Sequence, residues 1–134
     1  MDDFTYSPAD PQKLSPLALA YLGDAVYELA VRQYLLGEHG VDNKQIHQQA
    51  VELVRALRQS RLYDELDDIL DDEDKAILRR GRNAKSGHQP PRVSVGDYRR
   101  ATGVEALVGW LYLRGEEEKL RLIFRRLFEK RSEE

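Results

Sequence analysis

SPLALAYLGDAVYELAVRQYLL, residues 15–36, reads as a helix without a polar side. Ser15 is a natural N-cap and Pro16 suits the first helical position. Gly37 is predicted to stop the helix. Between them Leu17, Leu19, Tyr21, Leu22, Val26, Leu29, Val31, Tyr34 and Leu35 cover every side. A helix apolar all round is central or has partners on more than one side, and in a 134-residue chain one of those partners could be a second subunit. Asp24 interrupts this run. The positions that share its face are Leu17, Ala20, Tyr21, Tyr27, Glu28 and Val31, so its carboxylate stands in a mostly apolar stripe.

Working outward, Asn43–Leu70 repeats the helical period through Ile46, Ala50, Leu53, Val54 and Leu57, then Leu62, Leu66, Ile69 and Leu70, with a break predicted near Ser60. The acids of Asp71–Asp74 open a short helix that Arg79 and Arg80 close, a charge order that suits the helix dipole. Gly81 to Ser94 contains Gly87, Pro90 and Pro91 and is predicted as the longest loop. Ser94 to Asp97 resembles a capping box, and the helix it opens runs to about Arg114 before Gly115. Gly103 and Gly109 lie inside that helix. An interior glycine costs about 1 kcal/mol against alanine, so close helix packing is their expected purpose. A last amphipathic helix covers about 116–130. The pattern is all-α, without strand signal or internal repeat: a lead-in over 1–14, one domain over 15–131 and a tail over 132–134.

The length suits a single core. No cysteine is present, which excludes disulfides, thiolate zinc sites and a cysteine nucleophile. His39, His47 and His88 are scattered without zinc spacing. The acidic start lacks a signal-peptide pattern and charges interrupt every apolar run, so the expected compartment is the cytoplasm. The net charge of −3 argues against a polyanion partner until its distribution is considered. Arg79 to Arg100 holds seven basic residues (Arg79, Arg80, Arg82, Lys85, Arg92, Arg99 and Arg100) against one acid, Asp97. Exposed charges are screened over about 8 Å at physiological salt, so a polyanion would meet this patch rather than the average. A solvated basic loop is the plain alternative.

Glu105 repeats the oddity of Asp24. Its face neighbours are Tyr98, Ala101, Thr102, Val108, Gly109 and Tyr112. An ionised carboxylate buried without a partner is very costly, so such groups are paired, protonated or bound to a cation. Arg32, four residues after Glu28, is placed to pair with Glu28 and not with Asp24. If the two apolar helices cross, Asp24 and Glu105 face one another and repel unless a divalent cation lies between them. Oxygen ligands alone favour a hard ion such as Mg²⁺. The alternatives are a buried Asp24 satisfied by hydroxyl or backbone donors, and an exposed Glu105 on a helix edge.

LALAYLGDAVYEL, residues 17–29, resembles the signature of the ribonuclease III family, a leucine-glycine-aspartate followed by an apolar helix. EALVGWLY, residues 105–112, resembles the family's second conserved helix. RGRNAKSG, residues 80–87, is similar to the hallmark of its short branch, the mini-ribonucleases III. The motifs keep the family's order and span most of the chain, roughly residues 15–115. The resemblance implies a homodimeric, all-α ribonuclease III catalytic-domain-like bundle. It implies that Asp24 and Glu105 are catalytic and hold the metal, Mg²⁺ with Mn²⁺ as substitute. The reaction it implies is hydrolysis of double-stranded RNA to 5′-phosphate and 3′-hydroxyl ends. The implied substrate is precursor 23S ribosomal RNA, with a ribosomal protein on that precursor as a further partner.

Two positions depart from the long enzymes, which carry further acids where this chain has Ala20 and Thr102. The short branch shares that loss. The long enzymes also append a double-stranded-RNA-binding domain. Here the chain ends soon after the last helix, so the catalytic domain is expected to bind RNA alone. Duplex RNA is read by shape, phosphates and 2′-hydroxyls. Arg80, Arg82, Asn83, Lys85 and His88 are the expected phosphate contacts, with Arg92, Arg99 and Arg100 extending the surface. A non-catalytic double-stranded-RNA-binding protein on the same fold and a helical adaptor are the competing readings.

Overall fold

Ser15 caps the first helix as the sequence requires: its Oγ accepts the Ala18 N–H at 3.1 Å. In the computed structural model, which describes residues 9–39, 43–85 and 93–133, that helix is α1, Pro16–His39. It is preceded by a 3₁₀ turn, Pro11–Lys13. There follow α2 (Asn43–Val54), α3 (Ala56–Tyr63), α4 (Asp72–Asn83), α5 (Val95–Leu113) and α6 (Glu117–Glu133). The fold is all-α, with no strand among the described residues.

Several boundaries differ from the sequence reading. Gly37 does not stop α1. Nothing lies within 4 Å of where its Cβ would be, and its backbone is not left-handed, so it continues as a solvated helical residue. The break in the second region falls at Arg55, whose φ −63°, ψ 145° is extended, and not at Ser60, which is helical and buried. α4 continues through Gly81 to Asn83. Its start is a true capping box, with Asp71 Oδ1 accepting the Asp74 N–H at 2.9 Å and Asp74 Oδ2 accepting the Asp71 N–H at 3.3 Å. Gly115, at φ +71°, ends α5 in the left-handed conformation that glycine adopts without penalty. Its N–H reaches Tyr112 O and the Glu116 N–H reaches Leu111 O at 2.9 Å, a Schellman closure.

α5 is the central helix. Residues 101–104 and 106–111 are buried, and α1, α3 and α4 pack around them. Tyr27, Val31, Leu35, Leu107, Leu111, Ile123 and Leu127 form the inaccessible core. Each such side chain contributes roughly 1.5–3 kcal/mol. α6 lies against α1 through edge-on Tyr27–Phe124 and stacked Tyr34–Phe128 rings. The opposite face of α1 leaves Leu17, Tyr21, Leu29 and Leu36 exposed, Tyr21 by 86% and Leu29 by 64%. α1 therefore buries one apolar face and presents another. No helix among the described residues is long and apolar enough to cross a membrane.

Candidate active site

Two glycines set the geometry. A Cβ on Gly23 would lie 1.7 Å from the Glu105 carbonyl oxygen and 2.8 Å from Gly109 N. A Cβ on Gly109 would lie 2.1 Å from the Leu19 carbonyl oxygen. α1 and α5 thus cross backbone against backbone, a contact that no other residue type permits. The expectation that Gly109 serves close packing holds, and Gly23 is its counterpart. The second crossing, α4 on α5, repeats the device. A Cβ on Gly81 would lie 2.8 Å from both Gly103 Cα and Ala106 Cβ, and one on Gly103 would lie 2.7 Å from Leu78 O.

The first crossing brings Asp24, the neighbour of Gly23, to Glu105, one turn before Gly109. Their carboxyl groups are in side-chain hydrogen-bond contact. Asp24 is exposed and Glu105 partly buried, the reverse of the two alternatives the sequence left open: Asp24 lies at the border between the covered Ala20, Tyr27 and Val31 and the uncovered Leu17 and Tyr21. Burial pushes the Glu105 carboxyl up to about 8, the Asp24 contact and charge add to this, Gln59 opposes it by donating to the carboxylate, and Glu28 adds a smaller upward push. The pair cannot comfortably carry two charges.

That donor set fits a hard divalent cation: two neighbouring carboxylates, one facing solvent, with the ionised form of Glu105 disfavoured by burial and by Asp24. Among the described residues no group of three or more His, Asp or Glu side chains is arranged to hold a metal. Ala20, one turn before Asp24, is buried and offers no ligand. Thr102, one turn before Glu105, turns its Oγ1 back to donate to Tyr98 O at 2.9 Å. Any such cation would complete its shell with water and substrate oxygens.

The basic residues are distributed unevenly. Arg80, Asn83 and Lys85 are exposed at the end of α4, which the Gly81 contact lays against the α5 segment carrying Glu105. Arg82 is partly buried, its guanidinium 5.8 Å from the Tyr63 ring centroid and its Nε 3.3 Å from Asn83 Oδ1. Arg99 is exposed. Arg100 is also a structural tie. Its Nε donates to Ser60 Oγ at 2.9 Å and its Nη2 to Asp97 Oδ1 at 3.3 Å, so it links α5 to α3 while its side chain stays 37% exposed. His88 and Arg92 lie outside the described residues.

Sequence reasoning missed the buried polar segment of α3. Arg58, Gln59 and Ser60 are all buried in α3, and Tyr27 is fully buried close to both Glu105 and Arg58. For Gln59 a signal existed: it sits three and seven residues before Leu62 and Leu66, on their apolar face.

Comparisons with known proteins bear on the family and the fold. Residues 17–116 match the Ribonuclease III domain family. A Mini-ribonuclease 3 of Thermoanaerobacter sp. is 46% identical over 110 residues, covering 82% of this chain and 78% of that one. A Mini-ribonuclease 3 of Brevibacillus brevis is 41% identical over 119 residues, covering 89% of each chain. The crystal structure of a Fusobacterium nucleatum protein superposes with a TM-score of 0.81 at 33% identity, over 90% of this chain and 96% of that one.

Proposed function

This chain belongs to the ribonuclease III family, and from that premise we propose that it is a divalent-metal-dependent endoribonuclease that hydrolyses double-stranded RNA through Asp24 and Glu105. The observation that carries the reading is the Gly23–Gly109 crossing, which puts those two acids in contact beside solvent. Asp24 and Glu105 would hold the cation, Mg²⁺ with Mn²⁺ as substitute. When bound, it supplies an activated water and neutralises charge at the scissile phosphate and leaving oxygen. Asp24 presents its carboxylate to the substrate side, and Glu105 anchors from the buried side. Loss of the Glu105 proton accompanies ion binding, because burial and Asp24 hold that proton on until pH is near 8. In this reading no protein nucleophile takes part: water attacks phosphorus, the bond to the 3′-oxygen breaks, and, as the family resemblance implies, the products carry 5′-phosphate and 3′-hydroxyl ends.

The uncovered stripe of α1 (Leu17, Tyr21, Leu29 and Leu36) supports a two-fold homodimer in which this face meets itself. Asp24 borders the stripe, so each protomer would bring one acid pair to one RNA strand. Arg80, Arg82, Asn83, Lys85 and His88 are the proposed phosphate contacts. Of these, Arg80, Asn83 and Lys85 are exposed where α4 meets the Glu105 segment. The natural substrate in this reading is precursor 23S ribosomal RNA in the cytoplasm, trimmed during ribosome maturation, with a ribosomal protein on that precursor as helper.

A non-catalytic RNA-binding protein is the second reading, favoured by the inward Thr102 hydroxyl and by Ala20. Incubation with duplex RNA and Mg²⁺ separates the two. The enzyme reading expects cleavage that chelation abolishes. Binding without cleavage in both Mg²⁺ and Mn²⁺ leaves only the second.

A further inference from the structure

Arg114 and Arg82 both lie over aromatic rings, and they differ in what balances their charge. Arg114, at the end of α5, sits 4.8 Å from the Trp110 ring centroid and is ion-paired with Glu73. Arg82, in the last turn of α4, sits 5.8 Å from the ring centroid of Tyr63, the last residue of α3. Arg100, Arg121 and Arg126 also face carboxylates, those of Asp97, Glu118 and Asp68. No carboxylate pairs with Arg82 among the described residues; its Nε donates to the neutral Asn83 side chain at 3.3 Å. A guanidinium carries five N–H donors and keeps its charge at any working pH. Arg82 is partly buried and has given up some of its water, yet most of those donors have no protein acceptor among the described residues.

The ring beneath Arg82 is itself built in. A Cβ on Gly103 of α5 would lie 3.1 Å from Tyr63 Cε2, 3.2 Å from Arg82 N and 2.7 Å from Leu78 O. The missing methyl lets the edge of the Tyr63 ring and the backbone of α4 close on one point of α5. Ring and arginine are thereby fixed relative to each other and to the helix that carries Glu105.

We propose that Tyr63 is a positioning residue for RNA binding: its ring holds the Arg82 guanidinium so that the remaining N–H donors meet a backbone phosphate of the duplex. The inference rests on the reading of Arg82 as a phosphate contact. A guanidinium stacks on a ring through its flat face and binds phosphate through its edge, so the two contacts do not compete. A carboxylate in the place of the ring would occupy the edge, as an ion pair does at Arg114. Holding a long side chain in place beforehand also lowers the ordering cost of the contact. Tyr63 touches no RNA in this role; it sets where one cation points before the duplex arrives.

The test uses the full chain and a duplex RNA, with binding measured without divalent metal over a range of salt and cleavage measured in Mg²⁺. Arg82→Gln is the reference arm, expected to weaken binding about tenfold and to reduce the salt slope by about one. Tyr63→Leu removes the ring face and is expected to weaken binding and raise KM about threefold, with kcat within about twofold of the parent. Tyr63→Phe keeps the ring face and is expected to bind as the parent does. In the Arg82→Gln background Tyr63→Leu is expected to add nothing, because its effect passes through the arginine. If Tyr63→Leu does not fold, Tyr63→Met carries the same expectations. A loss that persists undiminished in the Arg82→Gln background, or that Tyr63→Phe shares, is a structural role and overturns the proposal. If Arg82→Gln weakens binding and the folded Tyr63 variant does not, only the role of Tyr63 is withdrawn. If Arg82→Gln binds with unchanged affinity and slope, the phosphate contact at Arg82 is lost and takes the proposal with it. A parent protein that binds no duplex even at low salt has failed the RNA reading itself.

Discussion

Two groups of acids lie against α5, and they are treated in opposite ways. Asp74, at the start of α4, is 2% exposed and fully provided for. Trp110 Nε1 donates to its Oδ1 at 3.1 Å, Lys119 Nζ to its Oδ2 at 2.6 Å, and the Asp71 N–H closes the capping box. Asp71 beside it also accepts from Lys119, at 3.2 Å. Asp24 and Glu105 have each other and the Gln59 amide. A buried acid supplied with a lysine, an indole and a backbone N–H belongs to the architecture. A neighbouring acid pair without a lysine or arginine of its own is what the proposed reading assigns to a cation.

The widest contrast is expected in cleavage. Asp24→Asn and Glu105→Gln should each lower the rate by roughly three orders of magnitude while duplex binding survives, since under the proposed reading they remove ligands to the ion and not phosphate contacts. A fully active Asp24→Asn protein would place the chemistry elsewhere. Asp74→Ala should do the reverse. It strands Lys119 and the Trp110 N–H and should cost about 3–5 kcal/mol of stability in denaturant titration, with metal midpoints preserved below its lowered Tm. Lost metal response with unchanged stability would erase the distinction between the two groups.

Contact and charge can then be separated. Gly23→Ala keeps both acids but forces a Cβ into the Glu105 carbonyl, and it should cost about 3 kcal/mol together with most of the activity. An alanine tolerated there without loss of either would show that the crossing is looser than described.

The smallest effect is one of pH. The Glu105 carboxyl lies above its unfolded value, near 8 against 4.5. Its contribution is therefore fully present below about pH 4.5 and is lost as pH rises through about 8. Metal-free protein should lose stability across that window, Mg²⁺ should restore more of it as pH rises, and Glu105→Gln should flatten the profile. A Tm for Glu105→Gln that falls with pH as steeply as the parent's would assign the proton to another group.

Much of this was legible in the residues. Ser15, Ser94 and Gly115 marked helix ends through local chemistry, and capping and left-handed glycine need no distant partner. The 3.6-residue period outlined the long apolar helices. Asp24 and Glu105 stood out because an acid in an apolar stripe needs an explanation, and Gly103 and Gly109 announced close packing. Less local features escaped. Gly37 carried a stop signal that solvent exposure made irrelevant. The bond from Arg100 to Ser60 of α3 was not announced by anything near it in the chain, unlike its local pair with Asp97. Gln59 looked like ordinary helix polarity, since nothing nearby in the chain shows that Glu105 is its partner.

Local chemistry and periodicity, written along the chain, determined an all-α protein, its caps and the two misplaced acids. Which acid is exposed and which arginine ties α5 to α3 were decided only where helices far apart in sequence touch. Those outcomes depend on three missing methyl groups' worth of space at Gly23, Gly109 and Gly81, and on which face of α1 remains uncovered. Contacts between distant segments arise from packing, and packing is a property of the assembled bundle.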